Sequence, residues 1–144
     1  FNFAVFGMDH GHIYGQAAGL ERAGAFCKYA YDKDPKKLKA FLKKFPNAKA
    51  AKSLDEILAD NSVKLVASAI VPVQRIDIAK RVMESGRDFF ADKPAVVSLG
   101  QLRVVHGCRK LGKKRRHRQS CLHKHFGPAQ PEHKRPPRLV FRKR

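Results

Sequence analysis

Three clusters of side chains in this 144-residue sequence have the types and spacing to carry chemistry. The first is Gly7-Met8-Asp9-His10-Gly11-His12, directly after the apolar run FNFAVF. A glycine turn between a strand and a helix aims backbone amides and the positive end of the helix at a diphosphate. Gly7 matches the first glycine of the pattern G-x-G-x-x-G, while Asp9 and His12 occupy the second and third glycine positions. An acid beside a diphosphate is electrostatically unfavourable, so the turn alone reads equally well as an ordinary strand-to-helix connection. The second cluster is Asp32 with Lys33, 25 residues beyond Gly7 at the end of another apolar run. A carboxylate there accepts hydrogen bonds from the hydroxyls of an adenosine ribose. Lys33 would instead pair with a 2′-phosphate, which leaves NAD and NADP both open. The third is Asp92-Lys93-Pro94, again behind an apolar run. A lysine in that place hydrogen-bonds a substrate hydroxyl or polarises a developing carbonyl, although most lysines are simply solvated. His10 and His12 read as polar first-turn residues, because a metal site needs further ligands that their segment lacks.

These clusters meet only if the chain lays its apolar runs side by side. FNFAVF and residues 25–31, 64–71 and 88–91 are short and continuously apolar, as strands buried on both faces are. Between them the apolar residues recur at helical spacing. Ile13, Ala17 and Leu20 form one such face. Leu38, Phe41, Leu42 and Phe45 form another behind Pro35, a favoured first helical residue. Ser53-Leu54-Asp55-Glu56 reads as a capping box ahead of Ile57 and Leu58. Residues 74–85 turn Ile76, Ala79, Val82 and Met83 inward, and Ser98-x-x-Gln101 would cap a further helix. Strand and helix thus alternate about every 20–30 residues, with no room for hairpins. The fold class this predicts is α/β: a Rossmann-like, doubly wound parallel sheet with right-handed crossovers and ligands at the carboxyl ends of its strands.

The charge divides the chain. The net charge is +19, and residues 103–144 carry 15 Lys/Arg against one acid, Glu132. A domain over residues 1–102 and a basic, irregular tail over 103–144 are expected from this break, the sheet being incomplete. With four prolines and few apolar residues, the tail cannot bury enough surface to offset its ordering entropy. Its run 113–118 would bind a polyanion non-specifically by releasing counterions, and a basic nucleic-acid-binding protein is the alternative function. No aromatic stacking platform accompanies that run. Cys108, His117, Cys121, His123, His125 and His133 lack the paired spacing that organises a zinc site. Three cysteines cannot complete a disulfide framework and fit a reducing compartment. No apolar run approaches a membrane span and no signal-peptide pattern opens the chain, so a cytoplasmic location without membrane contact is expected.

FAVFGMDHGHIYGQAAGL, then YDKDP, SLDEIL, KLVASAIVP and ADKPAVVSLGQL, resemble the Gfo/Idh/MocA oxidoreductases, relatives of glucose–fructose oxidoreductase and inositol dehydrogenase. The resemblance covers residues 2–102, with five motifs in order. It implies NAD or NADP as cofactor, held by Gly7, Met8, Asp9, His10, Gly11, His12, Asp32 and Lys33. The ends of the later strands, at Ile70, Val71 and Pro72 and at Asp92, Lys93 and Pro94, would complete that site. Lys93, at the position of the lysine in the family's Glu-Lys-Pro, would act as the catalytic residue touching a sugar-like or cyclitol substrate during hydride transfer. Asp92 replaces the glutamate, and the family's Pro-Asn-x-x-His is here Pro72-Val73-Gln74-Arg75-Ile76, without the Asn or the His. The Asp-His-Gly-His turn marks a subgroup. Family members continue into a second, α+β domain that completes the active site. The expectation is therefore a truncated, inactive chain. Its last residues are compatible, one nucleotide out of frame, with second-domain sequence.

Overall fold

The computed structural model describes residues 1–114, and the side chains of residues 1–106. Five strands and five helices alternate: β1 (Asn2–Phe6), α1 (His12–Arg22), β2 (Phe26–Tyr31), α2 (Pro35–Lys44), β3 (Lys49–Ala50), α3 (Leu54–Ala59), β4 (Val63–Ser68), α4 (Pro72–Glu84), β5 (Asp88–Ala91) and α5 (Leu99–Lys114). All pairings are parallel, in the order β3-β2-β1-β4-β5. The chain winds outward from β1 through β2 to β3, then returns to place β4 on the other side of β1. That reversal opens a crevice at the carboxyl ends of β1 and β4.

Alternation along β1 builds two cores. Phe3 and Val5 join one layer with Ile13 and Ala17 of α1, Cys27 of β2 and Phe41 of α2. Ala4 and Phe6 join the other with Ile57 of α3, Ile76 and Val82 of α4, Phe89 of β5 and Val105 of α5. The helical faces read from the sequence are the buried ones. Ser53 Oγ accepts the Glu56 amide at 3.2 Å, as its capping box requires; the Glu56 carboxylate reaches back to the Lys52 amide rather than to that of Ser53. Ser98 and Gln101 cap α5 reciprocally, Gln101 Oε1 accepting from the Val97 amide.

Three boundaries differ from the sequence reading. The edge strand β3 has two residues, too short to show a period, and is hydrogen-bonded to β2. β4 ends at Ser68, and residues 69–71 form the crevice turn instead of continuing the strand. Helix α5 crosses the charge break at residue 102 and runs to Lys114. Lysine and arginine are good helix formers, so net charge is a poor guide to where a helix stops. The zinc candidates beyond Cys108, and most of the basic run 113–118, lie outside the described residues. No helix among the described residues is long and apolar enough to cross a membrane.

At the amino ends of the strands, Lys28 of β2 pairs with Asp60 at 2.5 Å, and Ser62 joins Lys28, Asn2 and Asp60. The Lys28 ammonium, followed by the Ser62 donors, holds the Asp60 carboxyl well below the usual carboxylate range; Asp60 in turn raises Lys28. Asp60 in the unfolded chain titrates near about pH 3.9. Its contribution to stability is therefore complete above that pH and lost as pH falls toward the folded value. The Lys28 contribution is present below about pH 10.4 and is lost as pH rises through its raised value. The thermal midpoint is expected to be flat between these limits and to fall below about pH 4. In Asp60→Asn the acid slope should be shallower; an unchanged slope in a melting series from pH 5 to 2.5 would contradict this. Cys27, near the start of β2, is fully buried, and burial with a small addition from Glu21 pushes its thiol up to about 12.

Candidate functional site

Gly7 ends β1 at φ +80°, a left-handed conformation that suits glycine. Its amide donates to Tyr31 O at 2.8 Å and its carbonyl accepts from Ala69 at 3.1 Å, so the turn hangs between β2 and β4. His10 N–H completes the suspension on Ala69 O at 3.1 Å. A Cβ on Gly7 would lie 3.0 Å from Ile70 Cβ, so the close approach of the two loops depends on a bare backbone. Asp32, 6% exposed, receives the Met8 amide on Oδ2 at 2.6 Å and the Asp34 amide on Oδ1 at 2.8 Å. The glycine turn and the acid at the end of β2 are thus one hydrogen-bonded unit.

Beside them opens a cavity of about 200 Å³, walled by Phe6, Tyr31, Ile70 and Ile78 and edged by Asp9, Asp32, Lys33 and Gln74. Phe6 and Tyr31 stack at 4.9 Å along one side. An apolar slot ending in a carboxylate suits a planar base carrying a polyhydroxylated sugar. The residues at the glycine positions of the turn also fit an anion. Lys37 of α2 donates to Asp9 Oδ1 at 2.6 Å and the Val71 amide to Oδ2 at 3.2 Å. The Lys37 bond, above all, holds the Asp9 carboxyl below its usual range despite partial burial. The acid that looked unfavourable from the sequence is neutralised and serves as a strut from α2 to the β4–α4 loop.

His12, at the third glycine position, turns away to the end of β5. Its Nδ1 lies 2.9 Å from Asp92 Oδ2, and an ionised carboxylate can only accept, so His12 Nδ1 carries the proton. His10 Nδ1 accepts the His12 amide at 3.2 Å and lies 3.6 Å from the same Asp92 oxygen. Burial pushes the Asp92 carboxyl up, but the Lys93 amide and the two histidines outweigh it and hold it below the usual range. Asp92 therefore supplies the third group that the His10–His12 segment lacks. Candidate ligand atoms of the three lie within 4.8 Å of one another. Tetrahedral zinc sets its ligand atoms about 3.3 Å apart, so an ion would have to draw the cluster together and displace its hydrogen bonds. As it stands the cluster is a latch between the glycine turn and the Asp92-Lys93-Pro94 segment. Lys93 itself is exposed on the crevice rim, joined to Pro94 by a cis peptide bond.

Ile70, Val71 and Pro72 form the turn into α4, with Pro72 at its first position. The structure thus brings Gly7, Asp9, Asp32, Lys33 and Ile70 around one cavity at the carboxyl ends of the strands and ties His10 and His12 to Asp92 at the end of β5, while the Met8 side chain is buried in the core and only its amide reaches the site. Phe6, Tyr31, Gln74 and Ile78 of the cavity lining escaped that reading, as did Lys37 and Arg75. Lys37 is one of several lysines on α2. Arg75 carried a readable signal, since it stands four and seven residues before the inward-facing Ala79 and Val82, where a cation is out of place.

A family model for an oxidoreductase NAD-binding Rossmann fold, Gfo/Idh/MocA, matches residues 1–116. The chain belongs to the Gfo/Idh/MocA family. Its described fold is the family's NAD-binding domain, seen also in an oxidoreductase from Erwinia carotovora atroseptica, 30% identical with a TM-score of 0.72. That match covers 79% of this chain and 33% of the Erwinia chain. GenD2 from gentamicin A biosynthesis, solved in complex with NAD, is 26% identical with a TM-score of 0.63, covering 77% of this chain and 32% of that one. The WlbA dehydrogenase from Bordetella pertussis, solved with NADH and UDP-GlcNAcA, shares the fold at 21% identity and a TM-score of 0.67, over 77% and 34% of the two chains. The chain therefore spans about a third of the length of these solved proteins.

Proposed function

We propose that the crevice of this Gfo/Idh/MocA domain holds NAD, with the adenosine in the cavity beside Asp32, the diphosphate over the 7–12 turn and the nicotinamide toward Asp92-Lys93-Pro94. The observation that carries this reading is the bond from the Met8 amide to Asp32, which joins the diphosphate turn to the ribose acid. The cofactor, when bound, supplies the hydride acceptor or donor. The protein's residues do the rest. Asp32 accepts from the ribose hydroxyls, and its negative charge disfavours the 2′-phosphate of NADP. As the ammonium, Lys93 would give its proton to the substrate oxygen when the carbon gains hydride; as the neutral amine it would take the hydroxyl proton when the carbon loses hydride. The substrate proposed is a sugar-like or cyclitol alcohol, the class to which the UDP-sugar bound by WlbA belongs.

A polypeptide of these 144 residues is expected to bind NADH without turning over a polyol. A fluorescence titration should saturate in the micromolar to millimolar range and favour NADH over NADPH. A folded chain, verified by circular dichroism, that gives no saturable signal at millimolar NADH would overturn the proposal. So would a steady dehydrogenase rate overturn the expected lack of turnover.

A further inference from the structure

Arg75 lies on the first turn of α4 and is 3% exposed. Its Nη2 donates to Ile70 O at 2.7 Å, and its Nη1 to Asp92 O at 2.5 Å and to Pro94 O. Its Nε is buried without a hydrogen-bond partner. The two terminal nitrogens of the guanidinium thus meet neutral carbonyls, and burial lowers its pKa while the nearby Asp92 charge partly restores it. Such a group is a poor stabiliser: removing a cation from water is costly, and well-packed apolar replacements of buried charges are often neutral or stabilising. Core stability therefore does not account for an arginine here.

The choice of acceptors does. Asp92 and Pro94 flank Lys93, and Ile70 lies in the turn between β4 and α4 against which Gly7 packs. One planar fork therefore sets the distance between the glycine turn's support and both sides of Lys93. We propose that Arg75 is a positioning residue, clamping the backbone on either side of Lys93 so that its ammonium is held toward the crevice. A lysine could restore the charge but not the fork, since an ammonium is a point charge on a mobile stem. The segment that bears Arg75 is also the one lacking the Asn and His expected there from the resemblance. The positioning role rests on the proposed contact of Lys93 with substrate; the clamp itself does not.

The experiment uses the 144-residue chain with Arg75→Met and Arg75→Lys, read by hydrogen exchange of peptides spanning residues 88–97 without cofactor. Both variants are expected to exchange at least tenfold faster than wild type at the Asp92 and Lys93 amides, while peptides from β1 and α1 stay unchanged. A second reading is acylation of Lys93 followed by mass spectrometry: NADH should protect Lys93 in wild type and protect it less in both variants. If Arg75→Met does not fold, Arg75→Lys decides. Unchanged exchange in a folded variant overturns the clamp. Faster exchange together with a wild-type Lys93 that NADH fails to protect supports the clamp and overturns its role in the cofactor site.

Discussion

Gly7→Ala should lose about 2–5 kcal/mol of stability and at least tenfold in NADH affinity. The φ of +80° costs a residue with a Cβ about 1–2 kcal/mol. The new methyl would also meet Ile70 Cβ at 3.0 Å and Cγ1 at 3.3 Å, with the Ile70 backbone at 3.5 Å. Ile70 has little room to yield, because it is buried and its amide and carbonyl are bonded to Ser68 Oγ and Arg75. Overpacking of this kind adds about 1–3 kcal/mol, and the total corresponds to a fall of about 10–20 °C in thermal midpoint for a domain of this size. Gly11→Ala is the control. No atom lies within 4 Å of its added Cβ, and its φ of −61° is ordinary. It should leave the midpoint within about 2 °C of wild type. Equal midpoints for Gly7→Ala and wild type would remove the strained turn from the account.

Asp32→Asn should weaken NADH binding about 10–100-fold and reduce the preference for NADH over NADPH. The two backbone amides that converge on Asp32 both need acceptors, and asparagine offers one oxygen. Its amide nitrogen would face the Asp34 or the Met8 N–H, leaving a donor unpaired at about 1–3 kcal/mol. The charge-assisted bonds proposed to the ribose weaken together with the turn that aims the diphosphate site. The charge removed is also the one expected to repel a 2′-phosphate, so NADPH should lose less than NADH. Paired titrations of the two dinucleotides give the ratio directly. A ratio equal to wild type would mean that Asp32 supports the turn but does not meet the ribose.

Much of this site was legible because the ends of β1, β2 and β5 are marked by a glycine or an acid. Gly7, Asp32 and Asp92 each follow a short apolar run, and a doubly wound sheet brings such ends to one edge. The helical faces were legible for the same reason that they are buried: Phe41, Ile57 and Val82 recur at a period their polar neighbours do not share. What was hidden depends on pairs far apart in sequence. His12 meets Asp92 across 80 residues, and Asp9 meets Lys37 across 28. No local pattern records either meeting. Without the second, the negative charge of Asp9 seemed to argue against a diphosphate. The inward face of α4 marks Arg75 as a buried cation, but its partners are backbone carbonyls, which carry no sequence signature, so its role was hidden. The charge break near residue 102 was a true feature of composition, but helix α5 is held by its cap and by packing on α4, and neither stops where the charges begin.

The thiol of Cys27 gives the fold a chemical clock. A thiolate is the reactive form, and at neutral pH almost none is present while β2 stays between β1 and β3. Alkylating reagents reach this sulfur only when the layer of α1 and α2 over β2 opens, so the pace of modification there keeps time with that opening.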